Sequence, residues 1–343
     1  MVRKVALYLI LIGFTFPFFS RFIGVSGIGF ISYLSSLLLF VGASYLSFYN
    51  RKRKWLIFFI TIGIVLAQSI IQGMFHSLLL VSVFMLMVTF SKNDSFIKKA
   101  LIIIFGFFMS TVIQSIKHDY RSVIWENRNA NNFKTFTNLL IQETFLNESS
   151  NELSYISEKS KADKENSGLN ARLNQGWIIS KVMDNVPANK EFAGGETIYQ
   201  AIEASVLPRI LFPNKAGGEV ALKNFKELTG LKIGENTSMG LSLAAEFYAN
   251  FGIRGGWFAM FVYGLLIGFL LKWIVGSFGN YSGLIILWIA FFFFQVVKAE
   301  TDFIKMVNHL FKSLVYFYLL NRILLSFGVN LLPRSYAKDN VKT

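Results

Sequence analysis

The chain has 343 residues, 53% of them hydrophobic and only 16% charged, with 37 Phe, a formal net charge of +14 and no Cys. That charged fraction falls well below the roughly 25% of soluble domains, leaving too little polar surface to cover a soluble globule of this length. Without Cys there is no disulfide, no thiolate metal site and no cysteine nucleophile, which excludes transpeptidases that depend on one.

The positive charge is unevenly placed. Lys117 to Gly256 holds 16 basic and 16 acidic residues, so the whole excess lies outside this one long polar stretch. A nucleic-acid binder would concentrate the excess on its polar domain. The observed pattern is the positive-inside bias of a membrane protein with a large domain on the far side.

About 20 mostly apolar residues cross a bilayer as a helix. In chain order the sequence predicts spans at Val5–Phe22, Gly27–Tyr49, Trp55–Gln72, Phe75–Phe90 and Ile97–Ile116, a group of five within residues 1–116. Gln68, Gln72, Gly73 and His76 mark a tight outer turn between the third and fourth. No small-residue cleavage site follows the first span, so it does not read as a signal peptide.

Residues 117–256 form the predicted external domain. Its segment Asn147–Gly168 (NESSNELSYISEKSKADKENSG) has hardly any apolar residues and reads as a mobile loop, either a linker or a lid. Short helices follow: Ala171–Val182, Ile198–Leu207 with Thr197 and Gln200 spaced as a capping box, and Val220–Leu228. Pro208-Arg209-Ile210-Leu211-Phe212-Pro213-Asn214-Lys215 then sets two cations in an apolar segment stiffened by prolines. Arg209 and Lys215 suit a phosphate, through a planar fork and a point charge. Cations snorkelling to lipid headgroups would look the same.

Next comes TSMGLSLAAEFYANFGIRGG, where Thr237 or Ser238 is placed to cap a short apolar helix ending at Gly252. Gly255 and Gly256 keep the following turn tight. The helix is too short to span and should lie in the outer leaflet or re-enter from outside. Glu246 is then a carboxyl among apolar neighbours, pushed toward its neutral form, and is either catalytic or ion-linked, or the structural partner of Arg254 or a neighbouring Arg.

Three further spans, Trp257–Val275, Gly283–Val297 and Leu310–Phe327, fill residues 257–343 before a basic tail. Gly264 and Gly268 form a small-xxx-small pair for a close helix contact. Clusters at Arg3–Lys4, Arg51–Lys54, Lys92–Lys99, Lys272 and Arg334–Lys342 all fall on one side when both termini are cytoplasmic. The fold class is therefore an all-α polytopic membrane bundle of about eight helices, with the polar domain between the fifth and sixth. His76, His118 and His309 show no metal spacing, and neither a metal nor a cofactor is expected.

The run ASVLPRILFPNK, a Gly-rich connector, TSMGLSLAAEFYANFGIRGG and a following span together resemble the Wzy-type oligosaccharide repeat-unit polymerases of O-antigen and capsule, over roughly Arg172 to Phe269. The resemblance implies an enzyme of the bacterial inner membrane. It would join undecaprenyl-pyrophosphate-linked oligosaccharides at the outer face, beside membrane lipids, a flippase and a chain-length regulator. It places Arg209 and Lys215 in the family's cationic element and Glu246 in its acidic one. Arg172, in RLNQGW, is a weaker match, and Arg254 and Thr237 flank the acidic element as substrate contacts. About eight spans is fewer than the family usually carries. The related O-antigen ligases carry a His-Asn pair where this chain has Thr237-Ser238, which favours polymerase over ligase. A lipid-linked sugar transporter and a non-catalytic component of an envelope complex are the alternatives, although no repeat relates the five-span and three-span groups.

Overall fold

In the computed structural model, the described residues are 2–22, 28–91, 94–126, 131–146, 176–206, 218–233, 239–279, 284–298 and 301–332. They are helical, and no strand occurs among them. In chain order the helices are α1 (Val2–Phe19), α2 (Ile28–Tyr49), α3 (Lys54–Gln72), α4 (His76–Thr89), α5 (Phe96–Glu126) and α6 (Asn132–Ile141). They continue as α7 (Gly176–Asn185), α8 (Glu196–Val206), α9 (Gly218–Thr229), α10 (Leu243–Gly279), α11 (Ile285–Phe292) and α12 (Phe303–Ser326). Among the described residues, five stretches are long and apolar enough to cross a membrane: Val2–Phe19, Ile28–Tyr49, Arg51–Gln72, Phe96–Lys117 and Leu243–Ser277.

The chain divides into two units, one of Met1–Tyr45 with Gln175–Thr343 and one of Leu46–Asn174. In the second unit the turn after α3 forms at Gly73, whose left-handed φ of 67° satisfies the helix end through bonds to Ile70 and Ser69. α5 runs ten residues past its expected end at Ile116. Its extension is held there: Tyr120 donates to the Ile70 carbonyl at 2.6 Å and Arg121 to that of Gly73 at 2.7 Å. Lys54 meets Asp94 at 2.8 Å and holds that carboxyl below its ordinary range. The segment Asn147–Gly168 lies outside the described residues.

In the first unit α1 and α2 touch at glycines. A Cβ on Gly13 would lie 2.7 Å from the Leu39 nitrogen, and one on Gly42 would lie 2.9 Å from the Ala6 carbonyl oxygen. The small-residue contact expected at Gly264 and Gly268 is not made among the described residues, where no atom comes within 4 Å of a Cβ at either position. Both sit on a stretch of α10 whose large side chains, such as Leu265 and Phe269, are themselves exposed. The close approach belongs to the α1–α2 pair instead.

Span seven also differs from its reading. Helix α11 covers only Ile285–Phe292, and hydrogen-bonded turns follow through Val297. Those turns deliver Thr301 and Asp302, both buried, to the start of α12.

The short helices of the polar stretch pack on this same unit. Ile178 and Val182 of α7 share a buried cluster with Phe225 and Leu228 of α9 and with Ala245 and Ala249 of α10. Ala201 and Ala204 of α8 pack with Ala221 of α9 and Ile304 of α12. The capping box does not form as expected. Gln200 bonds Glu196 at 3.0 Å, and the N–H of Gly195, just before α8, is met by Asn250 Oδ1 at 3.0 Å. A side chain remote in sequence supplies the cap.

Candidate functional site

Helix α10 begins at Leu243, where Ser242 holds φ 66° and turns its hydroxyl toward the Ala245 N–H. The cap is thus Ser242, five residues beyond Thr237. The chain bends at Gly252, whose φ of 68° and ψ of −171° are open essentially to glycine alone. Gly256 then lets the second part of α10 fold close, since a Cβ there would meet the Tyr248 nitrogen at 3.2 Å.

Residues 243–251 make up a short helix, as the spacing predicts, and its polar side chains converge on one junction. Glu246 is 2% exposed and Asn250 2% exposed. Glu246 Oε2 accepts from the Phe303 N–H at 2.7 Å, at the first turn of α12. The Thr197 side chain of α8 lies beside this carboxylate. Asn250 donates to Thr197 Oγ1 at 2.8 Å and to the Glu246 carbonyl at 2.7 Å. In return Asp302 Oδ1 accepts from the Leu241 N–H at 2.7 Å, while Asp302 Oδ2 lies 2.6 Å from Lys305 Nζ. Each carboxylate therefore anchors the backbone of the other's segment. Such reciprocal bonds satisfy buried donors that would otherwise cost about 1–3 kcal/mol each.

Of the residues singled out from the sequence, Glu246 sits at the centre of this junction. Arg254, beyond the kink, is exposed and makes no ion pair with Glu246, so the proposed Glu246–Arg254 pairing is absent. Arg172, Arg209, Lys215 and Thr237 lie outside the described residues. Thr197, Asn250, Asp302 and Lys305 escape the sequence reading. The signal for the last two is the group of charged and polar residues Lys298, Glu300, Thr301, Asp302 and Lys305 between two hydrophobic segments. No group of three or more His, Asp or Glu able to hold a metal occurs among the described residues.

These features define an all-helical protein with several membrane-length apolar helices and a buried acidic junction. The chain belongs to the family described as a domain of unknown function, DUF8712, whose model matches residues 1–332. No curated protein and no solved structure shows significant similarity to it.

Proposed function

We propose that this protein is a Wzy-type polymerase that joins undecaprenyl-pyrophosphate-linked repeat units into O-antigen, capsular or exopolysaccharide. In this reading it lies in the bacterial inner membrane with about eight spans. Both termini are cytoplasmic and residues 117–256 face outward. The acceptor sugar hydroxyl attacks the anomeric carbon of the donor, and lipid pyrophosphate leaves against Arg209 and Lys215, with Arg172, Arg254 and Thr237 near the substrate.

One observation carries the proposal: every polar position of the Glu-x-Tyr-x-Asn-Phe-Gly element has a defined structural task. Glu246 and Asn250 hold the junction, Tyr248 donates to the Val186 carbonyl at 2.9 Å, and Gly252 makes the bend. An apolar cleft of about 470 Å³ beside it, walled by Met183, Tyr248, Ile253 and Trp257, supports a lipid-borne substrate. Glu246 is enclosed, so service as a base requires the start of α12 to part from it and admit the acceptor.

Deleting the gene and separating the polysaccharide on a gel tests the reading: single capped units should replace a ladder. An unchanged ladder removes it. At equal expression Arg209→Ala should abolish polymer and Arg209→Lys should impair it, because Lys keeps the charge and loses the fork. Glu246→Gln keeps shape but cannot take a proton, so a base role predicts inserted protein without polymer. Full-length polymer from that variant would end the catalytic assignment. Cysteines placed at Ser157 and Ser335 should label from outside and not from outside, respectively; the reverse pattern overturns the topology.

A transporter of lipid-linked sugars is the second reading. It is favoured by the two interruptions, at Gly252 and between α11 and α12, with buried carboxylates beside both. Deletion of a transporter would remove even the single capped units.

A further inference from the structure

Residues 51–99 hold seven Lys or Arg and a single carboxylate, Asp94. The fold brings six of these cations, Arg51, Lys52, Arg53, Lys54, Lys98 and Lys99, to one end of the second unit. Lys54 opens α3 and meets Asp94 at 2.8 Å. Lys98, in the first turn of α5, has its Nζ 4.7 Å from the centroid of the Trp55 ring, and Lys54 Nζ lies 5.8 Å from the same ring. The Phe90 ring, at the end of α4, packs on Trp55 at 6.0 Å. The starts of α3 and α5 and the end of α4 therefore meet around Trp55. The turn Arg51–Arg53 leads into this meeting point, and all three of its residues are exposed.

This placement opposes the local electrostatics. A helix start carries partial positive charge and favours acidic side chains, yet neither α3 nor α5 has one in its first turn. No side chain caps the start of α3 either. Hydrogen-bond donors are also in excess. Trp55 Nε1–H is buried and has no acceptor among the described residues. Asp94 Oδ2 is already taken by Lys54 Nζ and by the Ser91 N–H at 2.7 Å. A surface with many cationic and N–H donors and one occupied carboxylate calls for an anionic partner. The positive-inside bias alone would be met by cations anywhere in a loop, and it gives no reason to set them on helix starts.

The surroundings of the patch select the kind of anion. Next to it along the same two helices, Leu56, Phe59 and Ile60 of α3 and Ile97 and Leu101 of α5 are exposed. Both helices are long and apolar enough to cross a membrane, so these side chains suit lipid tails. Cationic and apolar surface thus adjoin, whereas a nucleic acid or an acidic peptide would match only the cationic part. We propose that Arg51, Lys52, Arg53 and Lys98 form a surface that binds an anionic phospholipid, with its phosphate against these cations and its acyl chains along α3 and α5. Arg presents phosphate with a planar fork, and basic clusters beside a membrane helix attract anionic headgroups. The surface requires only the membrane-length helices and does not rest on the polymerase reading.

The test uses the purified full chain in nanodiscs of phosphatidylcholine with and without phosphatidylglycerol, with retained lipid counted by native mass spectrometry. Thermal unfolding in detergent during titration with phosphatidylglycerol gives the affinity. Wild type should retain phosphatidylglycerol in preference to phosphatidylcholine and gain stability from it. The Lys52→Gln/Arg53→Gln/Lys98→Gln variant, with three charges removed, should bind about a hundredfold more weakly. Arg3→Gln/Lys4→Gln removes two exposed cations at the start of α1 and should bind as wild type does. No preference in wild type, equal binding by wild type and triple variant, or an equal loss in Arg3→Gln/Lys4→Gln overturns the surface. If the triple variant does not unfold cooperatively, Lys52→Gln and Lys98→Gln are measured singly. Each should weaken binding about fivefold, and wild-type affinity in both overturns the surface as well. Glycerol phosphate carries the headgroup charge without the tails and should not stabilise the protein at the concentrations at which the lipid does. Equal stabilisation by the two overturns the assignment to a lipid. An acidic peptide that binds wild type where phosphatidylglycerol does not would also overturn it.

Discussion

Helix α2 has a mean hydropathy of 1.6 over its apolar window and α5 has 2.0, yet 61% of the α2 window is buried and none of the α5 window. Hydropathy alone would make them interchangeable. They differ in side-chain size and polarity. α2 buries Ser35, Gly42, Ala43, Ser44 and Ser47, where short side chains let other backbone approach. Tyr45 adds a polar anchor, taking a bond from Trp288 Nε1 at 2.8 Å and giving one to the Leu331 carbonyl at 2.9 Å. The matching stretch of α5 exposes Leu101, Ile103, Ile104, Phe105 and Phe107. An apolar helix is buried in protein where small and hydrogen-bonding side chains give it specific partners; bulky aliphatic and aromatic ones suit a lipid-facing surface equally well.

Glycine substitutions bear on that contrast most directly. Gly42→Leu drives a side chain against the Ala6 carbonyl, a backbone atom that cannot rotate away, and should cost about 1–3 kcal/mol or more. At Gly106 in α5 a Cβ meets nothing within 4 Å among the described residues, and Gly106→Leu should stay within about 0.5 kcal/mol. Thermal unfolding of both variants in one detergent checks this, and equal losses would break the comparison.

The acidic junction extends the same rule to charged groups. Glu246→Ala leaves the buried Phe303 N–H without an acceptor, for a loss of about 1–3 kcal/mol. Glu246→Gln retains an acceptor oxygen and should lose less. Equal losses in the two variants would mean that this bond adds little to holding α10 against α12.

The smallest effect belongs to a pair with neither burial nor a unique partner. Lys190 bonds Glu227 at the surface and holds its carboxyl below the ordinary range. A lowered folded-state value means that the contribution is present above the usual carboxylate range and fades as pH falls through the lowered value. The Lys190→Ala loss should therefore be under about 1 kcal/mol at neutral pH and vanish in acid. A loss that persists in acid would assign the effect to packing.

The hydrophobic segments, the turn at Gly73, the bend at Gly252 and the burial of Glu246 were legible because each follows from local chemistry. A run of apolar residues, a glycine where positive φ is needed and a carboxyl in an apolar helix are properties of a few neighbouring positions. The partners of that carboxyl were not legible. Phe303 and Asp302 lie more than fifty residues from Glu246, and Thr197 lies almost as far in the other direction, so nothing local links them.

By itself, then, the sequence determined the helical class, most of the apolar segments and the neutrality of the polar stretch. These depend on side-chain transfer energies and backbone preferences that act within a single turn or segment. Tertiary structure alone decided that Ser242 caps the short helix and that, among the described residues, Gly13 and Gly42 rather than Gly264 and Gly268 form the close contact. It also decided that Lys298 meets the Phe294 ring and Lys312 the Phe30 ring, with His309 packed against both rings. Which small residue meets a backbone, and which cation meets which ring, is fixed by how helices distant in sequence pack. The apolar pattern constrains that packing only to a face, not to a partner.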